Sequence, residues 1–326
     1  MIEIMFIFLI LIGATILLIF TSQLAVKNSA SLAASLGVSS LIIGITLVSI
    51  GTDISEISNS IISCALGHGD IDVGDSLGSV LTQLTLVFGL LPIICGKFYV
   101  NRRVFLIIGS CEILALILIF TVVEKGYFTR ADALFMILSL IFYTMVIYNV
   151  TKSDMLTRVD LMMENESEGE KKKNYHYLLL AIAGFLGVAL CSYAIIQSII
   201  YISNQFNIHE YIISFFIMSI GTSLPELSVD ISALKKKHYN IAIGDIIGSC
   251  IVDSTLSIGI GQLLFPQEVS ASIAIPTILY TLLASLLVVL VVAKREIMDK
   301  KAGVLFIVIY LLSFPFILFI EYSLYL

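Results

Sequence analysis

Two short stretches of the chain place acidic and hydroxyl side chains inside apolar segments that are long enough to cross a bilayer. They are residues 51–56, with the sequence GTDISE, and residues 221–226, with the sequence GTSLPE. A charged side chain at the centre of a bilayer costs about 3 kcal/mol or more unless it is compensated. Neither segment has Lys or Arg near its acid, so bound cations or protons must balance the charge.

The two stretches belong to an internal repeat without gaps. The offset of 170 residues that relates Gly51 to Gly221 also relates Thr52 to Thr222 and the two glutamates of the motifs. Other identical pairs at this offset are Gly74 and Gly244, Asp75 and Asp245, Gly78 and Gly248, Ser79 and Ser249, and Gly89 and Gly259. The chain is therefore predicted to consist of two related halves.

Polar residues near these motifs recur at the spacing that places side chains on one face of a helix. Four such stripes lie on otherwise apolar segments, so we expect the stripes to face one another. They are Ser49, Thr52, Asp53 and Glu56; Ser219, Thr222, Ser223, Glu226 and Asp230; Asp72, Asp75, Ser76, Ser79, Thr82 and Gln83; and Asp245, Ser249 and Asp253.

The composition excludes a soluble globular protein. The 326 residues are 59% hydrophobic and 13% charged, with a mean hydropathy of +1.05, whereas about 25% of the residues of a soluble domain are charged. Apolar runs of about 20 residues predict an all-α membrane protein with ten transmembrane helices. The predicted spans are 4–26, 37–66, 72–95, 103–123, 130–150, 176–203, 208–234, 240–264, 271–293 and 302–323.

The distribution of basic residues predicts how the spans are oriented. All of the 18 Lys and Arg residues except Lys125 and Arg130 fall in loops on one side of the ten spans, and such loops face the cytoplasm. Both termini are then extracellular, and the two halves have inverted topology. We expect a first five-helix repeat at 1–150, a cytoplasmic linker at 151–174 and a second repeat at 175–326.

The glycines of the two motifs, together with Pro225, predict breaks in spans two and seven. A break frees backbone carbonyls, which can act as ligands when they line a protein cavity. Carboxylates, hydroxyls and carbonyls form an all-oxygen site, which suits hard cations such as calcium, sodium or magnesium. Glu112, inside span four, and the histidines near span ends are interpreted as structural or interfacial residues.

Residues 221–226 followed by 244–253 (GDIIGSCIVD) resemble the second alpha-repeat of the cation/calcium exchanger superfamily. The first copy resembles the first alpha-repeat through Gly51, Thr52, Glu56, Gly74, Gly78 and Ser79. The resemblance implies antiport of sodium ions or protons against calcium in the cell membrane, with spans one and six sliding across the bundle. It also implies a non-enzymatic protein without a cofactor or nucleic-acid partner, which functions as a monomer in the lipid bilayer.

By the same resemblance, Glu56 and Glu226 are the principal ligands of the divalent cation, together with carbonyls near Ser49 and Ser219. The remaining ion positions would be completed by Thr52, Thr222, Ser79, Ser223, Ser249 and Asp253. Three residues depart from the pattern: Asp53 replaces a serine, Ser55 a proline, and Gln83 an asparagine or aspartate. We include Asp53 and Gln83 in the candidate site, and these departures leave the exchanged ions open.

Four functions remain as hypotheses. Sodium/calcium exchange that exports calcium is the leading one, and a proton-coupled calcium or magnesium antiporter is the near alternative, since the extra carboxylate of Asp53 can take a proton. A cation channel would also use carboxylates but would give no reason for inverted copies with broken helices. An intramembrane aspartyl protease is disfavoured because the sequences around Asp75 and Asp245 lack the first glycine of Gly-x-Gly-Asp.

Overall fold

The computed structural model describes residues 2–35, 51, 53–164 and 174–324, and these residues are almost entirely helical. Nine helices in this part of the chain are long and apolar enough to cross a membrane. The coarse prediction of an all-α multi-pass membrane protein is therefore confirmed. Most of the second predicted span, at 37–50, lies outside the described residues.

The first half is built from helices joined by short turns. The membrane segment after α2 is continuous from Gly69 to Ile94, but a π-helical stretch interrupts it. The elements are α1 (Ile2–Ser35), α2 (Ile54–Ala65), α3 (Gly69–Leu81), the π-helical segment Thr82–Val87, α4 (Phe88–Ile94), β1 (Phe98–Tyr99), α5 (Arg102–Val123) and α6 (Arg130–Glu164).

The second half contains two interrupted membrane segments, and its short strand precedes its last helix. The elements are α7 (Asn174–Phe206), α8 (Glu210–Ile213), the π-helical segment Ser214–Met218, α9 (Ser219–Thr222), α10 (Leu224–Lys235), α11 (Tyr239–Val252), the π-helical segment Asp253–Ser257, α12 (Ile258–Leu264), α13 (Ala271–Arg295), β2 (Ile297–Met298) and α14 (Lys300–Leu324).

The offset of 170 found in the sequence recurs in the element boundaries. Adding it to the bounds of α2 gives those of α10, and adding it to the bounds of α4 gives those of α12. The π-helical segments that begin at Thr82 and Asp253 also correspond to within one residue. The sequence repeat is therefore a repeat of backbone structure.

Two helices extend well beyond their predicted spans. Helix α1 ends at Ser35 instead of residue 26, and α6 continues to Glu164 through much of the predicted linker. Hydropathy marks only the part of a helix that lies in lipid, while residues 151–164 contain no glycine or proline that would end the helix. The rest of the predicted linker, 165–173, lies outside the described residues.

Equivalent contacts are exchanged between the halves, as a two-fold relation requires. Strand β1 pairs with β2, with Phe98 opposite Met298, and the equivalent partners on the other side form the bridge between Tyr127 and Glu268. Close helix contacts at two glycines are also equivalent. A Cβ at Gly89 would lie 2.7 Å from the carbonyl oxygen of Gly303, and a Cβ at the equivalent Gly259 would lie 3.2 Å from the carbonyl oxygen of Ala133.

The side chains form two hydrophobic cores. The larger core joins α3 to α6 with α11 to α14, and the smaller lies mainly between α1 and α7, with Leu11, Leu18 and Ile195 among its buried residues. Helix α7 approaches α1 closely, because a Cβ at Gly184 would lie 2.5 Å from the backbone nitrogen of Ala25. The α1–α7 pair thus has a packing core of its own.

We expect Gly89→Ala to lower the stability of the protein more than Gly259→Ala at the equivalent position. The added methyl group at Gly89 meets a backbone carbonyl that cannot rotate away, whereas its nearest neighbour at Gly259, 2.8 Å away, is the side chain of Ile137. Overpacking of this kind costs about 1–3 kcal/mol, and alanine recovers at most about 1 kcal/mol of helix propensity. Thermal unfolding in detergent measures both variants; equal melting temperatures would contradict the prediction.

Candidate cation site

The second motif contains a helix break, and in both motifs a helix begins just after the equivalent residues Ser223 and Asp53. Ser223 separates α9 from α10 with φ −83° and ψ 1°, and Asp53 precedes α2 with φ −86° and ψ 13°. Each is followed three residues later by the motif glutamate, which lies in the first turn of the new helix. Pro225 is tolerated there because the amides of a first turn have no partner within the helix. The predicted break in span seven is therefore confirmed, at Ser223.

The π-helical segments are features that the sequence analysis missed. One begins at Thr82 and includes Gln83, another begins at Asp253, and a third precedes Ser219. Each lies at or beside a predicted site residue, and such insertions often mark functional positions. Their polar residues, such as Thr85 and Thr255, bond to carbonyls four residues earlier, and this is the only sequence signal that we find for them.

The two motif glutamates and Ser223 have oxygen atoms without a hydrogen-bond partner. Glu226 is fully buried and neither of its carboxylate oxygens accepts a bond from the described residues. Glu56, which is 1% exposed, accepts a bond from the Ser55 hydroxyl at 2.7 Å through Oε2, while its Oε1 has no partner in the same part of the chain. The buried Ser223 hydroxyl is likewise unpartnered within the described residues. Unpaired buried oxygens are costly, so a proton, a water molecule or a cation would stabilise these atoms.

The carboxylates of both halves act on one another electrostatically. The charges of Glu56, Asp53 and Asp245 all repel that of Glu226, and those of Glu56, Asp53 and Asp75 repel that of Asp253. The sequence prediction that the acidic stripes converge is in accord with this arrangement. Within the described residues, however, no three His, Cys, Asp or Glu side chains are close enough together to hold a metal ion. An ion in this conformation would need hydroxyl or carbonyl oxygens as well.

Asp253 differs from the glutamates because neutral donors occupy both of its oxygens. The amide of Gln83 donates to Oδ2 at 3.2 Å, and the Ser257 hydroxyl donates to Oδ1 at 3.2 Å. The Cys250 thiol lies 3.4 Å from Oε1 of Gln83. The departure at Gln83 therefore has a definite result, since its amide is bonded to the aspartate.

Hydroxyl groups from both halves connect the stripes. Thr222 lies 3.2 Å from the Ser79 hydroxyl and 3.4 Å from Oδ1 of Asp75. The Ser219 hydroxyl is 3.3 Å from that of Thr82. The structure thus brings together Ser79, Thr222 and Ser219 from the predicted set. Ser249 is buried on α11 one turn before Asp253, whereas Ser49 and Thr52 lie outside the described residues.

Two further buried acids accept hydrogen bonds from neutral side chains. Asp75 accepts a bond from the Asn59 amide at 3.0 Å, which links α2 to α3 beside the site. Glu112 accepts a bond from the Ser285 hydroxyl at 2.9 Å between α5 and α13. Glu112 is therefore a hydrogen-bonded buried acid, as expected.

Comparisons with known proteins agree with this architecture. The family model described as sodium/calcium exchanger protein matches the chain twice, at residues 6–149 and 176–319. The second match begins and ends 170 residues after the first. Each half of the chain therefore matches the same model in the same register.

Full-length relatives and solved structures show the same similarity. The inner membrane protein YrbG of Escherichia coli (strain K12) is 27% identical over 266 residues, which are 80% of each chain. The sodium/calcium exchanger MaX1 of Methanosarcina acetivorans is 25% identical over an alignment of 347 positions, which covers 96% of this chain and 98% of the relative. The structure of the sodium-calcium exchanger NCX_Mj soaked with 100 mM Na⁺ and 10 mM Sr²⁺ has the same fold, with a TM-score of 0.58 and 24% identity over 96% of this chain and 98% of its own. Because the family model covers most of both halves, the chain belongs to the sodium/calcium exchanger protein family, whose members are transporters and not enzymes.

Proposed function

We propose that this protein is a secondary active antiporter that exports calcium in exchange for sodium, with both ions binding in turn between Glu56 and Glu226. The observation that carries the proposal is the set of buried, unpartnered oxygens on Glu226, Glu56 and Ser223. The two glutamates occupy equivalent positions of the two halves, and Ser223 and Glu226 lie at the helix break of the second half. The relatives named as sodium/calcium exchangers support the choice of ions.

The charge of the site favours this exchange. Two ionised glutamates balance one divalent cation, and several sodium ions can supply the same charge at adjacent oxygen positions. Hard oxygen ligands suit calcium and sodium alike. In this proposal Thr52, Asp53, Ser79, Gln83, Thr222, Ser249 and Asp253 surround the glutamates, and carbonyls near Ser49 and Ser219 complete the coordination.

The two halves are proposed to lie in opposite orientations in the membrane. In this proposal each membrane-length helix crosses the membrane once, and residues 165–173 add no further crossing. The chain then crosses the membrane five times between a position in α3 and the equivalent position in α11. An odd number of crossings reverses direction, so this count supports two inverted repeats and ten spans. With the basic loops in the cytoplasm, both termini face outside. The two halves are proposed to be 1–150 and 175–326, with a cytoplasmic linker at 151–174. The protein is proposed to work as a monomer in the cell membrane.

Alternating access is proposed to come from movement of α1 with α7. Their separate hydrophobic core supports movement as a pair. Helix α1 also lies directly against the break, because a Cβ at Gly221 would be 2.5 Å from the Thr15 methyl carbon. Sliding of α1 would therefore change what covers the site.

Proton-coupled calcium or magnesium exchange is the second candidate. It is favoured by one observation, the fully buried Asp53 beside the glutamates, where the related pattern has serine. Counterflow experiments in which sodium, protons, calcium and magnesium are varied one at a time separate it from sodium coupling.

We expect Glu226→Gln to abolish calcium uptake into proteoliposomes loaded with sodium. The substitution keeps the shape of the side chain but removes the charge and one acceptor oxygen, and the remaining acids cannot balance a dehydrated divalent cation alone. The effect is measured as uptake of radiolabelled calcium from a sodium-free external medium.

Glu112→Gln is the matched control for this experiment. Glu112 is also a fully buried acid with one oxygen that lacks a hydrogen-bond partner among the described residues, but it belongs to neither motif and bonds to Ser285 between α5 and α13. Its variant should retain most of the uptake. Calcium uptake that ignored the sodium gradient, or that survived in Glu226→Gln, would refute the proposed exchange.

The Gln83–Asp253 pair yields a second prediction about ion binding. Replacing the amide with Gln83→Leu frees Oδ2 of Asp253 for a cation. A hydrogen bond to a charged group contributes about 1.5–3 kcal/mol, and each 1.4 kcal/mol is tenfold in affinity, so the half-saturating sodium concentration should fall about tenfold. Thr85→Val, which removes a hydroxyl bonded only to its own helix, should leave it unchanged. An unaltered sodium dependence in Gln83→Leu would show that Asp253 does not bind sodium.

A further inference from the structure

Two histidines pair with carboxylates at one end of the helix bundle. Nδ1 of His68, in the turn before α3, lies 2.8 Å from Oε2 of Glu210 at the start of α8. Nε2 of His209 lies 3.6 Å from Oδ2 of Asp70, in the first turn of α3. The exposed fractions of the four side chains are between 14% and 29%, so water and protons reach them. Each pair joins the first half of the chain to the second.

Neighbouring helix ends are tied into the same cluster. The backbone N–H and the hydroxyl of Ser270, just before α13, donate to Asp70 at 2.7 and 2.6 Å. The backbone N–H of His209 donates to Oε1 of Glu321, near the end of α14, at 2.8 Å. Two carboxylates therefore contact the two imidazoles, a third carboxylate, that of Glu321, bonds to the backbone of His209, and the Ser270 hydroxyl lies 3.4 Å from Nε2 of His209.

The cluster borders a cavity of about 260 Å³ beside the end of α7. Its lining includes Asp70, His209 and Glu210, together with Ser203, Asn204 and Asn207 from the last turns of α7 and the loop that follows. Helix α8 runs from this cluster directly into the π-helical segment before Ser219, and thus toward the break at Ser223. The cavity therefore lies where the proposed moving helix meets the segment that leads to the site.

We propose that His68, His209 and their carboxylate partners form a proton-binding regulatory site that ties α8 to the start of α3. Neutral imidazoles can only donate or accept hydrogen bonds, whereas protonated imidazoles form ion pairs with Glu210 and Asp70. Charge on the histidines strengthens the tie between the halves and holds the end of α8 in place. Acidification of this face, which is the extracellular face in the proposed topology, then slows exchange. This effect on transport rests on the proposed antiport.

The test compares the pH dependence of exchange in proteoliposomes when only this face is acidified. When the pH falls from 7.5 to 6.0, we expect the exchange rate of the wild type to decrease by about twofold to fivefold more than that of the His68→Gln/His209→Gln variant. This factor corresponds to the free energy of a single exposed ion pair. Glutamine keeps a neutral donor for each carboxylate but cannot be protonated. Competition of protons with ions at the central site acts on every variant and cancels in this comparison.

The other two histidines provide the matched control. His176 lies near the start of α7, and His238 lies just before α11. Each is at the end of its membrane segment that is away from the cluster. The His176→Gln/His238→Gln variant should keep the wild-type pH profile. Equal profiles for the wild type and His68→Gln/His209→Gln, or loss of the effect in the control variant, would overturn the proposal.

Hydrogen exchange provides a readout that does not depend on transport. After correction for the intrinsic pH dependence, the amides of His209 and Ser270 should be about twofold to fivefold better protected at pH 6.0 than at pH 7.5 in the wild type. The His68→Gln/His209→Gln variant should show no such gain. If the protein does not exchange ions but this gain in amide protection is present, the antiport proposal fails and the proton site stands. If the gain in protection is absent, the proton site fails.

Discussion

The fold depends on the cost of keeping acidic side chains in a membrane without basic partners. Four buried acids, Asp53, Glu56, Glu226 and Asp253, would together cost on the order of 10 kcal/mol if each were charged and uncompensated. The structure compensates some acids with neutral donors, as for Asp253, and leaves the motif glutamates with open oxygens. The motif glutamates can therefore accept an ion without losing a bond on every oxygen, whereas Asp253 would have to exchange a neutral donor for one.

Irregular backbone is concentrated where the site needs it. The break at Ser223 and the π-helical segments at Thr82 and Asp253 all lie within the packed interior of the bundle. Unpaired backbone groups are tolerated at membrane depth only when protein or a polar cavity surrounds them. The reciprocal contacts between halves, such as β1 with β2, hold the surrounding helices in place. A rigid scaffold therefore supports a locally irregular site.

Much of this arrangement could be predicted from the sequence because it follows from composition and spacing. The 170-residue repeat, the membrane-length helices and the break near Pro225 all have local signals in residue type. The bond between Gln83 and Asp253 has no such signal, since it depends on the packing of two helices from different halves. The pair of His68 and Glu210 joins residues 142 positions apart. Hydropathy also gave no sign that α1 and α6 extend beyond their predicted spans, because it reports polarity and not helix formation.

Gln83 and Asp253 are equivalent positions of the repeat, and yet they touch each other. Such contact places both near the local symmetry axis between the halves. In an assembly of two identical chains, a residue at that place meets its own copy, so an acid would face an acid and an amide an amide. Joining both copies in one polypeptide removes this restriction, because each copy can then mutate alone. The donor opposite the carboxylate is thus a chemical asymmetry that two identical chains could not encode.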